Sequence, residues 1–337
     1  MAGVHTVMGC RRQIINNNHR TLLRIHSWSR FFDPKLISKF EESSGCVVIT
    51  TTFQTNEELF TALDSNPERY DVVTPSSYMA ARLARDGRLA ELPRLRNAQE
   101  LYLVAGREVV MNTLDYAVPY SWSISGIAYL ANESAPKIEP SWQVFDQASL
   151  KKRFTLLEDM RELLGAGLKS IGKSANGREA VDLENAFVKV EKWIDGATML
   201  ETENYLLPMN LGETVLAHAY NGDVWMAARE QQKMKFIVPE EGSTIAVDQL
   251  CISAESTKFS LALEFIRFMQ EPEHARQNME WSGYISTNES IIAKAPESLD
   301  FLSSNNSSAL ARSEIISDLG EASNLWETTW QRLFEFA

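Results

Sequence analysis

Three acidic residues stand where they can bind a cation or transfer protons. Asp159 and Glu162 lie three positions apart at the start of a predicted helix, a spacing that places both carboxylates on one helix face. Asp248 precedes a predicted apolar strand. First-turn acids also interact favourably with the helix dipole, and Asp248 fits an ordinary turn residue. The pattern alone therefore leaves these structural explanations open.

Aromatic and hydroxyl side chains directly follow two predicted strands. Trp28, Ser29 and Phe31 come after the first strand, and Ser76 and Tyr78 come after the third. Aromatic faces pack against methylene groups and attract cations. Side chains at these positions are candidates for a ligand site. The alternative for Trp28 is a place in the core.

The elements that position these residues begin with an alternation of strands and helices. Strands are predicted at 22–28, 47–53 and 71–73, each followed by a helix. This order predicts a parallel sheet with crossover helices, and ligands bind beyond the carboxyl ends of the strands of such sheets.

A second α/β region follows in the middle of the chain. Residues 116–120 and 126–130 are predicted as two separate extended segments, and further strands and helices continue to residue 239. The strand predicted at 245–253 returns to the first region. The chain therefore crosses between two lobes several times, as a hinge requires.

Composition excludes several classes of protein. The 337 residues carry a net charge of −12, which disfavours binding to nucleic acid phosphates. No apolar run is long enough to span a membrane. The five histidines are scattered without an HExxH motif, and neither a GxSxG elbow nor a P-loop is present. A glycosidase-like use of the carboxylates is the remaining enzymatic alternative, and nothing else supports it.

The three cysteines do not form a CxxC pair. Cys46 and Cys251 lie in apolar runs and are predicted to be buried. Cys10 follows a glycine near the N-terminus, as in a bacterial lipobox, so we expect either a lipidated cysteine or a chance pair in a tail. Residues 1–20 are predicted to be a tether.

Several motifs together resemble the spermidine/putrescine-binding proteins of ABC transporters over about residues 22–333. In chain order these motifs are Trp28 with Pro34-x-Leu36 and Phe40; Tyr70-Asp71-Val72-Val73-x-Pro75-Ser76-x-Tyr78; Pro119-Tyr120-x-Trp122; Asp159-x-Arg161-Glu162; Tyr220-Asn221-Gly222; Asp248; Gly283-Tyr284; and Asp318-Leu319-Gly320.

The resemblance implies an α/β, two-lobed periplasmic-binding-protein type II fold with the ligand in the interlobe cleft. We expect lobe 1 to comprise residues 21–121 and 248–286, and lobe 2 to comprise residues 122–247 and 287–337. The implied ligand is a polyamine, without a cofactor or a metal. The implied partner is an ABC permease, and the implied form is a periplasmic monomer whose only membrane attachment is a possible lipid on Cys10.

The resemblance also assigns roles in the site. Asp159 and Glu162 hold one terminal amine, and Asp248 holds another nitrogen. The remaining expected contacts are aromatic rings and hydroxyl groups: Trp28, Ser29, Phe31, Ser76, Tyr78, Tyr220 and Tyr284.

Three positions depart from the family pattern. Arg30 stands where an acid is frequent, Ala246 replaces a tryptophan and Ile316 replaces a glutamine. These departures favour a short diamine or a different ligand. Thiamine, ferric iron or another organic cation in the same fold is therefore the alternative, and a polyamine sensor or adhesin without transport also remains open.

Overall fold

The computed structural model describes residues 20–93, 95, 110–131, 138–230, 233–292 and 307–335. Cys10 lies outside the described residues, as does most of the predicted tether, so its lipidation stays a prediction. Among the described residues, no helix is long and apolar enough to cross a membrane.

Eleven strands were identified in the described residues. They are β1 (Leu22–Trp28), β2 (Val47–Phe53), β3 (Val72–Val73), β4 (Ala117–Leu130), β5 (Phe154–Leu156), β6 (Met199–Leu200), β7 (Leu216–Tyr220), β8 (Met234–Ile237), β9 (Thr244–Ile252), β10 (Ile285–Ser286) and β11 (Glu314–Ile315).

The described residues also form helices that flank the strands. They are α1 (Pro34–Ser44), α2 (Asn56–Ser65), α3 (Ser77–Arg85), α4 (Met160–Ser170), α5 (Ala180–Gly196), α6 (Leu207–Asn210), α7 (Asn221–Ala228), α8 (Phe259–Gln270), α9 (Pro272–Ser282), α10 (Glu289–Ile292), α11 (Ser307–Arg312) and α12 (Ser323–Arg332).

Local signals explain where the first helices begin and end. Helix α1 starts with Asp33, whose side chain accepts a hydrogen bond from the Lys35 amide, and it stops at Gly45 in the left-handed conformation. Helix α2 is capped in a similar way, because the Thr55 hydroxyl accepts a hydrogen bond from the Glu58 amide at 3.1 Å.

One long strand, β4, belongs to both halves of the sheet. Its residues up to Ile124 pair with β9, and its residues from Ser125 onward pair with β7 and β8. The prediction of two separate extended segments here was wrong. The strand continues through Pro119, where a register irregularity accommodates a residue that lacks an amide hydrogen.

The strand order is β2-β1-β3-β9-β4-β7-β5-β6, with β8 and β10 also on β4, and β11 on β9. β1, β2 and β3 run parallel, so the predicted parallel sheet is present, and β9 lies antiparallel to β3. Separate apolar clusters pack around the two halves of the sheet. The exact lobe boundaries proposed from sequence stay a prediction.

Candidate functional site

All ten residues proposed from sequence border one cavity of about 800 Å³, a volume that includes its solvent-filled mouth. The first half of the sheet contributes Trp28, Ser29, Phe31, Ser76, Tyr78 and Asp248. The second half contributes Asp159, Glu162 and Tyr220, and Tyr284 follows helix α9. The fold thus brings together residues that are far apart in sequence.

The ends of parallel strands form one wall of the cavity. Trp28 ends β1 and packs on Phe53, which ends β2, with ring centroids 4.4 Å apart. Ser76 lies just after β3 and forms a bridge with Asp248 on β9. The position of these residues follows from the rule that carboxyl ends of parallel strands share one edge of a sheet.

Asp248 is a buried acid on this wall. The Ser76 hydroxyl donates a hydrogen bond of 2.8 Å to Asp248 Oδ1. Burial raises the Asp248 pKa to about 7, although this hydrogen bond opposes the shift. Near neutral pH, the Asp248 carboxyl group is therefore partly protonated, and a nearby cation favours its ionised form.

Asp159 and Glu162 form an acidic pair on the opposite wall. The sequence placed Asp159 on a face of the helix, but Asp159 is the N-cap residue that directly precedes α4. Its Oδ1 accepts hydrogen bonds from the Arg161 and Glu162 amides at 2.8 and 3.0 Å. Asp159 therefore both caps the helix and borders the cavity. Glu162 is buried, and its Oε2 accepts a hydrogen bond from the Thr244 hydroxyl.

Both acids of this pair have raised pKa values. Burial is the main cause for each, and for Glu162 the neighbouring Asp159 adds to it, which raises the Glu162 pKa to about 7. The hydrogen bonds from the helix amides and from Thr244 oppose these shifts. An ammonium group between the two carboxyls can relieve their mutual repulsion.

Arg161 is a buried cation beside this acidic pair. Its guanidinium nitrogens donate to the Ser317 carbonyl at 3.0 Å and to Asn176 Oδ1 at 2.9 Å. Its guanidinium carbon also lies 5.0 Å from the centre of the Tyr78 ring. These contacts join α4 to the segment after β11 and to helix α3 of the other half of the sheet.

Three acids at or near the cavity were not among the proposed site residues, and one of them, Glu203, borders it. Asp223 also borders it and accepts hydrogen bonds from Tyr205 at 2.7 Å and from Tyr284 at 3.0 Å. It comes just after Tyr220, so the rule that selected residues following strands indicates it as well. Glu57 accepts a hydrogen bond of 3.3 Å from the Tyr78 hydroxyl, but its place within α2 gave no sequence signal.

The proposed residues differ in how far they face the cavity. Tyr220 and Tyr284 are half-buried at its border, whereas Phe31 is only 4% exposed and packs mainly on Phe32 and Tyr120. Phe31 therefore borders the cavity but is mainly part of the core, and not only of an aromatic wall as predicted. Further lining residues that the sequence did not single out for the site are Phe53, Gln54, Asn56, Ser123, Arg161, Thr202, Glu203 and Asp223.

The three departures from the family pattern all border the same cavity: Arg30, Ala246 and Ile316. The cavity as a whole presents five carboxyl groups and two guanidinium groups, together with aromatic rings. The carboxyl groups belong to Asp159, Glu162, Glu203, Asp223 and Asp248. Such a lining can bind an alkyl chain that carries positive charges. Among the described residues, no group of three or more His, Cys, Asp or Glu side chains is arranged to hold a metal ion.

Sequence comparison found curated relatives that cover most of the chain. The chain is 25% identical over 318 residues to the spermidine/putrescine-binding periplasmic protein of Salmonella typhimurium, covering 92% of this chain and 91% of that protein. It is 28% identical over 271 residues to the putrescine/cadaverine-binding protein of Pseudomonas aeruginosa, covering 76% of each.

Solved structures share the fold. The spermidine/putrescine ABC transporter substrate-binding protein of Streptococcus pneumoniae has a TM-score of 0.75 at 24% identity, and the match covers 93% of this chain and 97% of that one. A lipoprotein of Treponema pallidum has a TM-score of 0.80 at 24% identity, with coverage of 93% and 99%. The predicted two-lobed type II fold is confirmed.

The family comparison covers most of the same region. Residues 35–300 match the family described as bacterial extracellular solute-binding protein. This range includes every strand of the sheet except β1 and β11, and every proposed cavity residue except Trp28, Ser29 and Phe31, which lie just before it. The chain therefore belongs to the bacterial extracellular solute-binding proteins.

Proposed function

We propose that this chain is the polyamine receptor of an ABC importer, and that it binds putrescine or spermidine in the cavity between the two halves of the sheet. One observation carries the proposal. Buried carboxyl groups stand on both walls of the cavity, Glu162 on one and Asp248 on the other, with aromatic rings beside them. A diammonium chain needs this combination of separated anions and apolar surface.

The energies of these contacts are sufficient for tight binding. A hydrogen bond to a charged group contributes about 1.5–3 kcal/mol, and a cation over an aromatic ring about 0.5–2 kcal/mol. Two anchored ammonium groups and two or three rings therefore support micromolar affinity, which corresponds to about −8 kcal/mol. The names of the curated relatives point to the same class of ligand.

Binding is coupled to closure of the cleft. The ligand contacts Trp28 and Asp248 on one side and Asp159 and Glu162 on the other, so it binds the closed form better and shifts the population toward that form. Strand β4 and β9 cross between the halves and are the hinge in this proposal. The closed form then docks on the permease.

The remaining features of the proposal concern location and assembly. Membership of the extracellular family puts the receptor outside the cytoplasm. We further propose that the receptor is a monomer, that a lipid on Cys10 holds it at the membrane, and that the ligand-binding residues are the ten proposed from sequence.

Calorimetric titration of the dialysed full chain with putrescine, cadaverine, spermidine and spermine tests the proposal. We expect saturable binding of at least one amine and its loss in the double variant Asp159→Asn with Glu162→Gln. Asp195→Asn is the matched control, because Asp195 is exposed and pairs with Lys151 far from the cavity lining. Thiamine and ferric citrate serve as alternative ligands.

Two results would contradict the proposal. Absence of heat from every amine, with circular dichroism showing a folded and ligand-free protein, means that the cavity serves another solute. Unchanged amine affinity in the double variant means that the site lies elsewhere.

A further inference from the structure

The cavity is built differently at its Asp223 end. The hydroxyls of Tyr205 and Tyr284 both donate to Asp223, at 2.7 and 3.0 Å. Gly222 permits this arrangement, since a Cβ atom on it would come within 2.8 Å of the Tyr284 ring. Asp223 is thus a fixed acceptor whose two oxygens already have donors.

Arg30 brings a positive charge to the same end. It borders the cavity together with Asp223 and Tyr284, and its charge opposes the rise in the pKa values of both. Its φ of 51° is unusual for a residue other than glycine. The next residue, Phe31, is buried, and its carbonyl accepts from Asn278 at 3.0 Å. The backbone that carries the guanidinium is therefore held in place.

The carboxyl groups can be ordered along the cavity. Four of the five divide between two tyrosines: besides burial, the charges of Asp159 and Glu162 raise the pKa of Tyr220, whereas those of Asp223 and Asp248 raise the pKa of Tyr284. At the first end, Asp159, Glu162 and nearby Glu57 outnumber Arg161, whose terminal nitrogens bond to other groups. At the end bordered by Tyr284, Arg30 offsets Asp223, so Asp248 is left there as the second negative centre.

We propose that Arg30 neutralises the Asp223 end of the cavity, so that the receptor accepts ligands with two ammonium groups and discriminates against a third. The preferred ligand is then a diamine of the putrescine or cadaverine type, and a triamine places its extra ammonium group next to the guanidinium. This inference rests on the proposed function and specifies its substrate class.

Titration of the full chain, of two Arg30 variants and of one control variant with putrescine and spermidine tests the inference. The wild type is expected to bind putrescine about tenfold or more tightly than spermidine, since one unfavourable charge contact of this kind corresponds to about a factor of ten. Arg30→Gln should raise spermidine affinity about tenfold while changing putrescine affinity less than about threefold. Arg30→Lys retains the charge and should retain the diamine preference. Arg276→Gln, on an exposed arginine paired with Glu280, is the control and should leave both affinities unchanged.

The outcomes separate this inference from the proposed function. Spermidine preference in the wild type, or the same putrescine-to-spermidine ratio in Arg30→Gln and wild type, overturns the role of Arg30 while polyamine binding stands. A changed ratio in Arg30→Lys equal to that in Arg30→Gln shows that side-chain shape rather than charge discriminates, and overturns it as well. Absence of amine binding in every protein overturns the proposed function together with this inference.

Discussion

The two ends of the cavity hold carboxyl groups in different ways. Glu162 is buried next to Asp159, and repulsion and burial together raise its pKa to about 7. Asp223 instead accepts hydrogen bonds from two tyrosines and lies near the Arg30 charge, which partly offset its burial. The first end has unfavourable electrostatics that a cation relieves, whereas the second is partly compensated within the protein. The comparison teaches that the number of acids in a cavity does not equal the number of cations it binds.

Neutralising one acid at each end tests the difference between the two ends most strongly. Glu162→Gln should lower the affinity for the bound amine about 100-fold, because it removes a charge-assisted contact worth about 1.5–3 kcal/mol. Asp223→Asn should lower diamine affinity less than about tenfold, since both oxygens of Asp223 already accept hydrogen bonds from tyrosines. Calorimetry at pH 7.5 measures both, with Asp195→Asn as the control. Equal losses in the two variants would refute the difference between the ends.

The pH dependence of binding reports the ionisation of the buried acids Glu162 and Asp248. The ammonium groups stay charged near neutral pH, but Glu162 and Asp248 have pKa values of about 7 in the empty cavity and must be ionised to pair with them. Binding therefore releases protons, and lowering the pH from 8 to 6 should weaken it about tenfold or more. Titrations in buffers with different ionisation enthalpies measure the release. Proton uptake, or pH-independent affinity, would contradict the assignment.

The stability of the protein in the absence of amine also depends on Asp248, which lies on the wall formed by the strand ends. The pKa of Asp248 is raised on folding from 3.8 to about 7, so the folded state binds its proton more tightly and loses stability as the pH rises through this interval. Asp248→Asn should raise the free energy of unfolding by about 1–3 kcal/mol at pH 8 and change it little at pH 4. Denaturant titrations at both pH values check this, and the reverse pH trend would contradict it.

The smallest effect is expected where the first turn of helix α7 packs against Tyr284. Gly222→Ala places a methyl group against the Tyr284 ring, so the ring has to shift and its hydrogen bond to Asp223 weakens. Diamine affinity should fall about two- to fivefold, with the free energy of unfolding reduced by about 1 kcal/mol. Calorimetry and denaturant titration measure the two effects. Asp195→Asn, on the surface, is again the control.

Much of the fold, and those site residues that lie at strand ends, were predictable from local sequence patterns. The strand at Leu22–Trp28 and the capped helix after Asp33 carry their own signals in hydrophobic period and cap residues. The positions of Trp28 and Ser76 at strand ends followed from the parallel order. Glu57 could not be found, because it contacts Tyr78 through the packing of α2 against α3, and no spacing rule encodes that contact.

The sequence by itself determined the charge, the residue types and the order of elements, because each depends on neighbours within a few positions along the chain. Only the tertiary structure decided that Arg30 and Asp223 border the same end of the cavity, and that Asp159 caps a helix while it borders the cavity. These outcomes depend on burial and on contacts between distant segments, which set the electrostatic environment of each group. A raised carboxyl pKa near 7, as at Asp248, is a property of that environment and not of the residue.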